Sequence, residues 1–176
     1  MPQYRIEDIT WDHPRILADL FVSPAISLCR KWSQQPFSLT IERRSLPTAG
    51  NGQSAIDFSW SLASEADADR VENTLQAQPL TEFASIGLCC ATFSYSNEGE
   101  VTEVTKRGDG IDYWIDDRRA VLEVSGLDAG SSGDLSRLHH RKESQLKGSG
   151  LFKLGYPGYV YVIVFQIRGS IFSYHS

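Results

Sequence analysis

Hydrophobic and polar positions along this chain change period several times, and each change marks an element. In "PRILADLFVSPAISLCRKWSQ" (residues 14–34) the apolar residues recur at helical spacing, with Pro14 suited to a first turn and an interruption expected near Pro24. "FSLTIERRS" and "SAIDFSWSLA" read as two strands joined by the turn-rich "LPTAGNGQ". Ser64 with Asp67 resembles an N-terminal cap for a short exposed helix over "EADADRVENTLQ". Pro79 opens the next element, in which Phe83, Ile86, Cys90 and Phe93 stand at helical spacing and predict packing against a core.

The second half has a denser pattern. "GEVTEVTKRG", "GIDYWID" and "AVLEVSG" are three strand-like runs in quick succession. A loop, "GLDAGSSG", leads into a helix over "DLSRLHHRKESQLKG", with Asp134 near its start, Gly148 at its end, and Leu135, Leu138 and Leu146 on one side. "GYVYVIVFQI" is apolar at almost every position, as befits a strand buried on both faces, and "SIFSYH" reads as an added edge strand. The order predicts an α/β (α+β) fold in one domain, with a mixed central sheet flanked by helices. Residues 1–79 form an N-terminal helix and strand elaboration, and residues 80–176 the core.

Composition adds bounds. A chain of 176 residues with 41% hydrophobic and 22% charged residues is long enough to bury a sizeable core. No apolar run reaches the length of a membrane span, and no signal-peptide pattern opens the chain, so the expected location is the cytoplasm, away from membranes. Cys29, Cys89 and Cys90 give neither a disulfide framework nor metal-ligand spacing and read as reduced, partly buried thiols. The net charge of −5 argues against wholesale coating of nucleic acid. A local basic segment, "RLHHRKESQLK", nevertheless carries Arg137, Arg141, Lys142 and Lys147 against Glu143 alone. No nucleophile elbow, P-loop or dinucleotide fingerprint occurs, and the adjacent His139 and His140 point in different directions on a helix.

The candidate chemistry lies in "GDGIDYWIDDRRAVLEVSG". If "DDRR" closes a hairpin with Ile115 opposite Ala120, Asp112 falls directly opposite Glu123, and Trp114 opposite Val121 shares their face. The other face then collects Ile111, Tyr113, Ile115, Ala120, Leu122 and Val124. Directly opposed side chains have Cβ atoms about 4.5–5.5 Å apart, where like charges repel. Two such carboxylates share a proton or hold a cation, and hard oxygen ligands suit Mg²⁺ (or Mn²⁺). The alternative is a hairpin with two outward, solvated acids.

Helix, three-stranded meander with "GID" in its second strand and "LEVS" in its third, basic helix, apolar strand: this order resembles the restriction-endonuclease-like PD-(D/E)XK superfamily. The resemblance covers roughly residues 80 to 166 and implies a metal-dependent nuclease acting on DNA in preference to RNA, with Asp112 and Glu123 as metal ligands. It departs at one position, because Ser125 stands where the family's Lys belongs. Lys142 is the candidate for a relocated cation, with Arg141 second and Gln145 as a polar helper. Glu82 could supply a third acid. Arg137, Arg141, Lys142 and Trp114 are the expected nucleic-acid contacts. A catalytically inactive member of the fold, binding within a larger assembly, is the alternative, and a homodimer or a partner protein is left open.

Overall fold

The computed structural model describes residues 2–176. A single eight-stranded mixed sheet organises the chain, in the order β1-β3-β2-β8-β7-β6-β5-β4. Its first half comes from β1 (Gln3–Arg5), β2 (Phe37–Leu46) and β3 (Gly50–Ser59), and its second from β4 (Val101–Val104), β5 (Tyr113–Ile115), β6 (Ala120–Leu127), β7 (Gly158–Val164) and β8 (Gly169–His175). The α/β class and the mixed sheet agree with the sequence pattern. Among the described residues, no helix is long and apolar enough to cross a membrane.

Helices lie on both sides. One layer comprises α1 (Ile9–Asp12), α2 (Asp19–Trp32), α3 (Leu62–Glu72) and α4 (Ala77–Ser96), and the other α5 (Ser132–Gly148) and α6 (Gly150–Lys153). Two hydrophobic clusters result. The larger joins Ile26, Leu88, Phe93, Leu122, Tyr161 and Phe172 under α2 and α4. The smaller joins Trp114, Val121, Leu135, Leu138, Leu146 and Val160 under α5. Every residue of β7 is buried, because it is sandwiched between the two helix layers.

Several local readings change. The segment expected at the edge, β8, lies inside the sheet, pairing antiparallel with β7 and parallel with β2. It joins the two halves because β2 offers it a free strand edge from far away in sequence, which no local pattern reveals. α2 begins at Asp19 and runs through Pro24 without ending there, since Pro24 is buried within an otherwise apolar stripe. The cap of α3 is Ser61, whose hydroxyl accepts from Ser64 N at 3.3 Å, and not Ser64 itself. At α5, Ser131 and Asp134 form a reciprocal capping box. The three cysteines are free and buried.

β6, α5 and β7 form a parallel crossover unit. β4, β5 and β6 precede it as an antiparallel meander, with α4 packed beneath. Glu98 ties this half to the other, its Oε1 accepting from Thr48 N at 2.9 Å and Ala49 N at 2.7 Å.

Candidate functional site

The hairpin pairs as expected near its tip, Ile115 with Ala120, Trp114 with Val121 and Tyr113 with Leu122. Asp116, Asp117 and Arg118 all adopt positive φ to turn it. Asp116 is held there by accepting from Glu100 N at 2.8 Å, and Arg118 by pairing with Glu103.

Below Tyr113 the ladder ends. Asp112 N donates to Leu122 O at 3.2 Å, so Asp112 and Tyr113 both address Leu122. Ile111 packs under α5 while Tyr113 packs under α4, a break in the alternation of a regular strand. The expected direct opposition of Asp112 and Glu123 is therefore not formed, and Ile111 belongs to the face opposite the one predicted. Asp112 turns its carboxylate onto the neighbouring strand, Oδ2 accepting from Val124 N at 2.8 Å. This satisfies a backbone donor that the departing strand leaves without a carbonyl.

Glu123 keeps the predicted alternation on β6 and faces α5. It is 0% exposed, and both oxygens are used. Lys142 Nζ donates to Oε2 at 2.8 Å, and Gln145 Nε2 to Oε1 at 3.1 Å. Lys142 and Gln145 lie three apart on α5, the spacing that puts two side chains on one helix face. Gln145 Nε2 also reaches Gly110 O at 3.2 Å, tying the segment before Asp112 to the helix. Burial, reinforced by the negative charge of Asp112, raises the Glu123 carboxyl to about 7, against the opposing pull of Lys142.

A cleft of about 460 Å³ opens where β5 leaves β6, lined by Asp112, Tyr113, Val124, Ser125 and Gln145 from the hairpin and α5, by Glu82, Phe83 and Ile86 from α4, and by residues 104–110. Four predicted residues thus come together: Asp112, Glu123, Lys142 and Gln145. Glu82 stands on the cleft wall, exposed, accepting from Gln78 Nε2 at 3.0 Å. No three or more His, Cys, Asp or Glu side chains among the described residues gather as a metal-binding group.

Trp114 is corrected. It is 7% exposed and packs in the α5 cluster, with its ring edge-on to Tyr156 at 5.1 Å, so it offers no face to a nucleic-acid base. Arg137 and Arg141 are exposed on α5. Arg137 pairs with Asp134, whereas Arg141 enters no ion pair among the described residues. Lys106 and Arg107, which sequence reasoning passed over, are exposed beside the cleft and also form no ion pair among the described residues. Their signal was present in "TKRGDG", a charged turn directly before "ID".

The donor set fits a hard divalent cation in chemistry: two carboxylates, one of which, Asp112, uses a single oxygen in hydrogen bonding among the described residues and lines an open cleft. Glu123 is not among the residues that line the cleft, and Lys142 and Gln145 engage both of its oxygens and fix its orientation. No family model, curated protein or solved structure matches the chain.

Proposed function

We propose that the chain is a metal-dependent phosphodiesterase of the restriction-endonuclease-like kind, cutting nucleic acid, DNA in preference to RNA. The observation carrying this reading is the Lys142 to Glu123 contact at 2.8 Å. A lysine from the crossover helix reaches the carboxylate of the "EVS" strand, where the family pattern would put its own lysine two residues after the acid. The order α4, β4 to β6, α5, β7 supports residues 80–176 as the nuclease-like core and residues 1–79 as its elaboration.

In this reading Asp112 and Glu123 hold Mg²⁺ or Mn²⁺. Such an ion, when bound, polarises a phosphoryl oxygen and lowers the pKa of water. Lys142 offsets part of the burial penalty on the Glu123 carboxylate, and places a positive charge beside the site where negative charge builds on the phosphate. Gln145 orients the Glu123 carboxylate and anchors the loop at Gly110.

The closure of that same group favours a second reading, a non-catalytic member of the fold that binds within a larger assembly. Glu123 is fully buried with both oxygens satisfied, as a structural ion pair would be.

Cleavage of labelled single- and double-stranded oligonucleotides with Mg²⁺ or Mn²⁺ separates the two. Asp112→Asn is the informative variant, because an amide oxygen still accepts from Val124 N while the charge is lost. Cleavage by the wild type that falls on the order of 10²-fold or more in Asp112→Asn and Glu123→Gln supports the nuclease. Equal rates in all three proteins overturn it. No cleavage by any of them, with nucleic-acid binding retained, supports the second reading.

A further inference from the structure

The cleft beside Asp112 has two chemically different borders. On the α4 side, Phe83 is 38% exposed although the residues after it, Ala84 to Phe93, are all buried. Its ring meets Phe21 at 5.9 Å in a T-shaped contact, which fixes it while leaving it accessible. Ile86 and Val124 continue this apolar wall. The turn between β4 and β5 borders the same cleft with Lys106 and Arg107, exposed and without ion-pair partners among the described residues. Asp109 shapes the turn by accepting from Lys106 N at 3.0 Å, and Gly108 and Gly110 take positive φ there.

An aromatic and aliphatic wall and a cationic lip in one cleft match one chemistry closely: a nucleobase with its flanking phosphates. The size of the cleft narrows the form. About 460 Å³ lies within the range of small-molecule sites, roughly 300–1,000 Å³. It accepts one or two nucleotides and not a duplex. Duplex bases are also stacked on each other and present only their edges in the grooves, so an aromatic wall is of use only to a base that has left the stack.

We propose that this cleft seats an unpaired nucleotide of a DNA strand, its base on Phe83 and its neighbouring phosphates on Lys106 and Arg107. The inference rests on reading the cleft as a nucleic-acid site, and it deepens that reading by making single strands or frayed ends the substrate class. It also supplies the aromatic platform that Trp114, being buried, does not.

The test is equilibrium binding of the full chain to a fluorescein-labelled oligodeoxynucleotide, by anisotropy, in EDTA so that cleavage does not enter. The unpaired strand is compared with a blunt hairpin duplex of the same length. Phe83→Leu is the chosen variant, because leucine keeps an apolar contact with Phe21 and removes the ring, and its melting curve checks the fold. The expected results are binding of the unpaired strand at least about tenfold tighter than the duplex, and a further loss of roughly tenfold in Phe83→Leu for the unpaired strand only. Replacing Lys106 and Arg107 together by Ala lowers the salt slope of the unpaired strand by about 1 or more. Equal or tighter duplex binding, or an unchanged affinity in a folded Phe83→Leu, overturns the inference. A protein that passes this test and cuts nothing overturns only the nuclease reading, whereas a nuclease that cuts blunt duplex and single strands at equal rates overturns only this one.

Discussion

Lys142 reaches inward from α5 and donates to Glu123 at 2.8 Å, a pair in which the lysine side chain is 15% exposed and the glutamate 0%. Breaking it leaves a buried carboxylate without its cation. At pH 8, Lys142→Met is expected to cost about 1–2 kcal/mol in urea unfolding, because a carboxyl already raised to about 7 takes up a proton when its cation is lost. The double variant Glu123→Gln, Lys142→Met should recover much of that loss, since a neutral amide needs no counter-charge. Losses that simply add across the two single variants would mean that the pair is not coupled.

The pH dependence of that cost follows from the raised carboxyl. The folded chain holds the Glu123 proton up to about 7, whereas the unfolded chain releases it near the ordinary value of 4.5. Stability contributed by Glu123 therefore falls as pH rises through this window, and the penalty is fully present only above about 7. Two outcomes are expected. Lys142→Met should be better tolerated at pH 5, where Glu123 is already neutral. The stability difference between wild type and Glu123→Gln should move by a few kcal/mol between pH 4.5 and 7, in favour of Gln at the upper end. A difference that stays flat across these pH values would contradict the raised carboxyl.

His139 has the opposite sign. Its Nδ1 lies 3.3 Å from Arg44 Nη1, which can only donate, so the ring carries its proton on Nε2 and donates to Ser173 Oγ at 2.8 Å. Burial first, and the Arg44 charge second, lower the imidazole to about 4. The unfolded chain takes up the proton from 6.5 downward, so stability present above that value is lost as pH falls toward 4. Denaturation midpoints measured through this range should drop for the wild type by the equivalent of about 3 kcal/mol from this residue. They should drop less in His139→Gln.

Gly87 marks the closest approach of α4 to α2. A Cβ there would lie 2.7 Å from Phe21 O and 3.1 Å from Ala25 Cβ. Helix propensity alone favours Ala over Gly by about 1 kcal/mol. The backbone carbonyl of α2 cannot yield as a side chain would, so Gly87→Ala is expected to lose roughly 1–3 kcal/mol net. A gain in melting temperature would show that the two helices can separate at little cost.

Ser131 and Asp134 close the start of α5, the helix that carries Lys142 and Gln145. Ser131→Ala should cost about 1 kcal/mol. Because α5 positions the Glu123 partners, the variant should also weaken any metal-dependent activity more than it weakens the affinity for a DNA strand at the Phe83 wall.

How far the sequence reached depends on the range of the interactions involved. Strand and helix positions were legible in β6, β7, α4 and α5, because their apolar period is set within a few residues and burial on one or both faces dictates it. The hairpin register near "DDRR" was legible for the same reason, as a tight turn pins the residues next to it. Glu123 keeps the face which that register gives it, whereas Lys142 and Gln145 were expected near it only through the family resemblance, and the packing of α5 on β6 is what brings them to its carboxylate. Asp112 was misplaced because the period breaks at Ile111 and Tyr113, where the strand leaves the ladder and a side chain takes over a backbone acceptor's role. Nothing in "GID" announces that exchange.

Tertiary structure alone decided three further matters. β8 became an interior strand because β2, more than a hundred residues earlier, offers it a second edge. Trp114 was buried because α5 and Tyr156 close over the hairpin from later in the chain. Phe83, Lys106 and Arg107 came to line one cleft because α4 and the β4 to β5 turn meet where β5 departs. Local periodicity is dictated by short-range sterics and burial, and a sequence carries it openly. Which faces meet is a choice made by long-range packing, and that choice created the cleft.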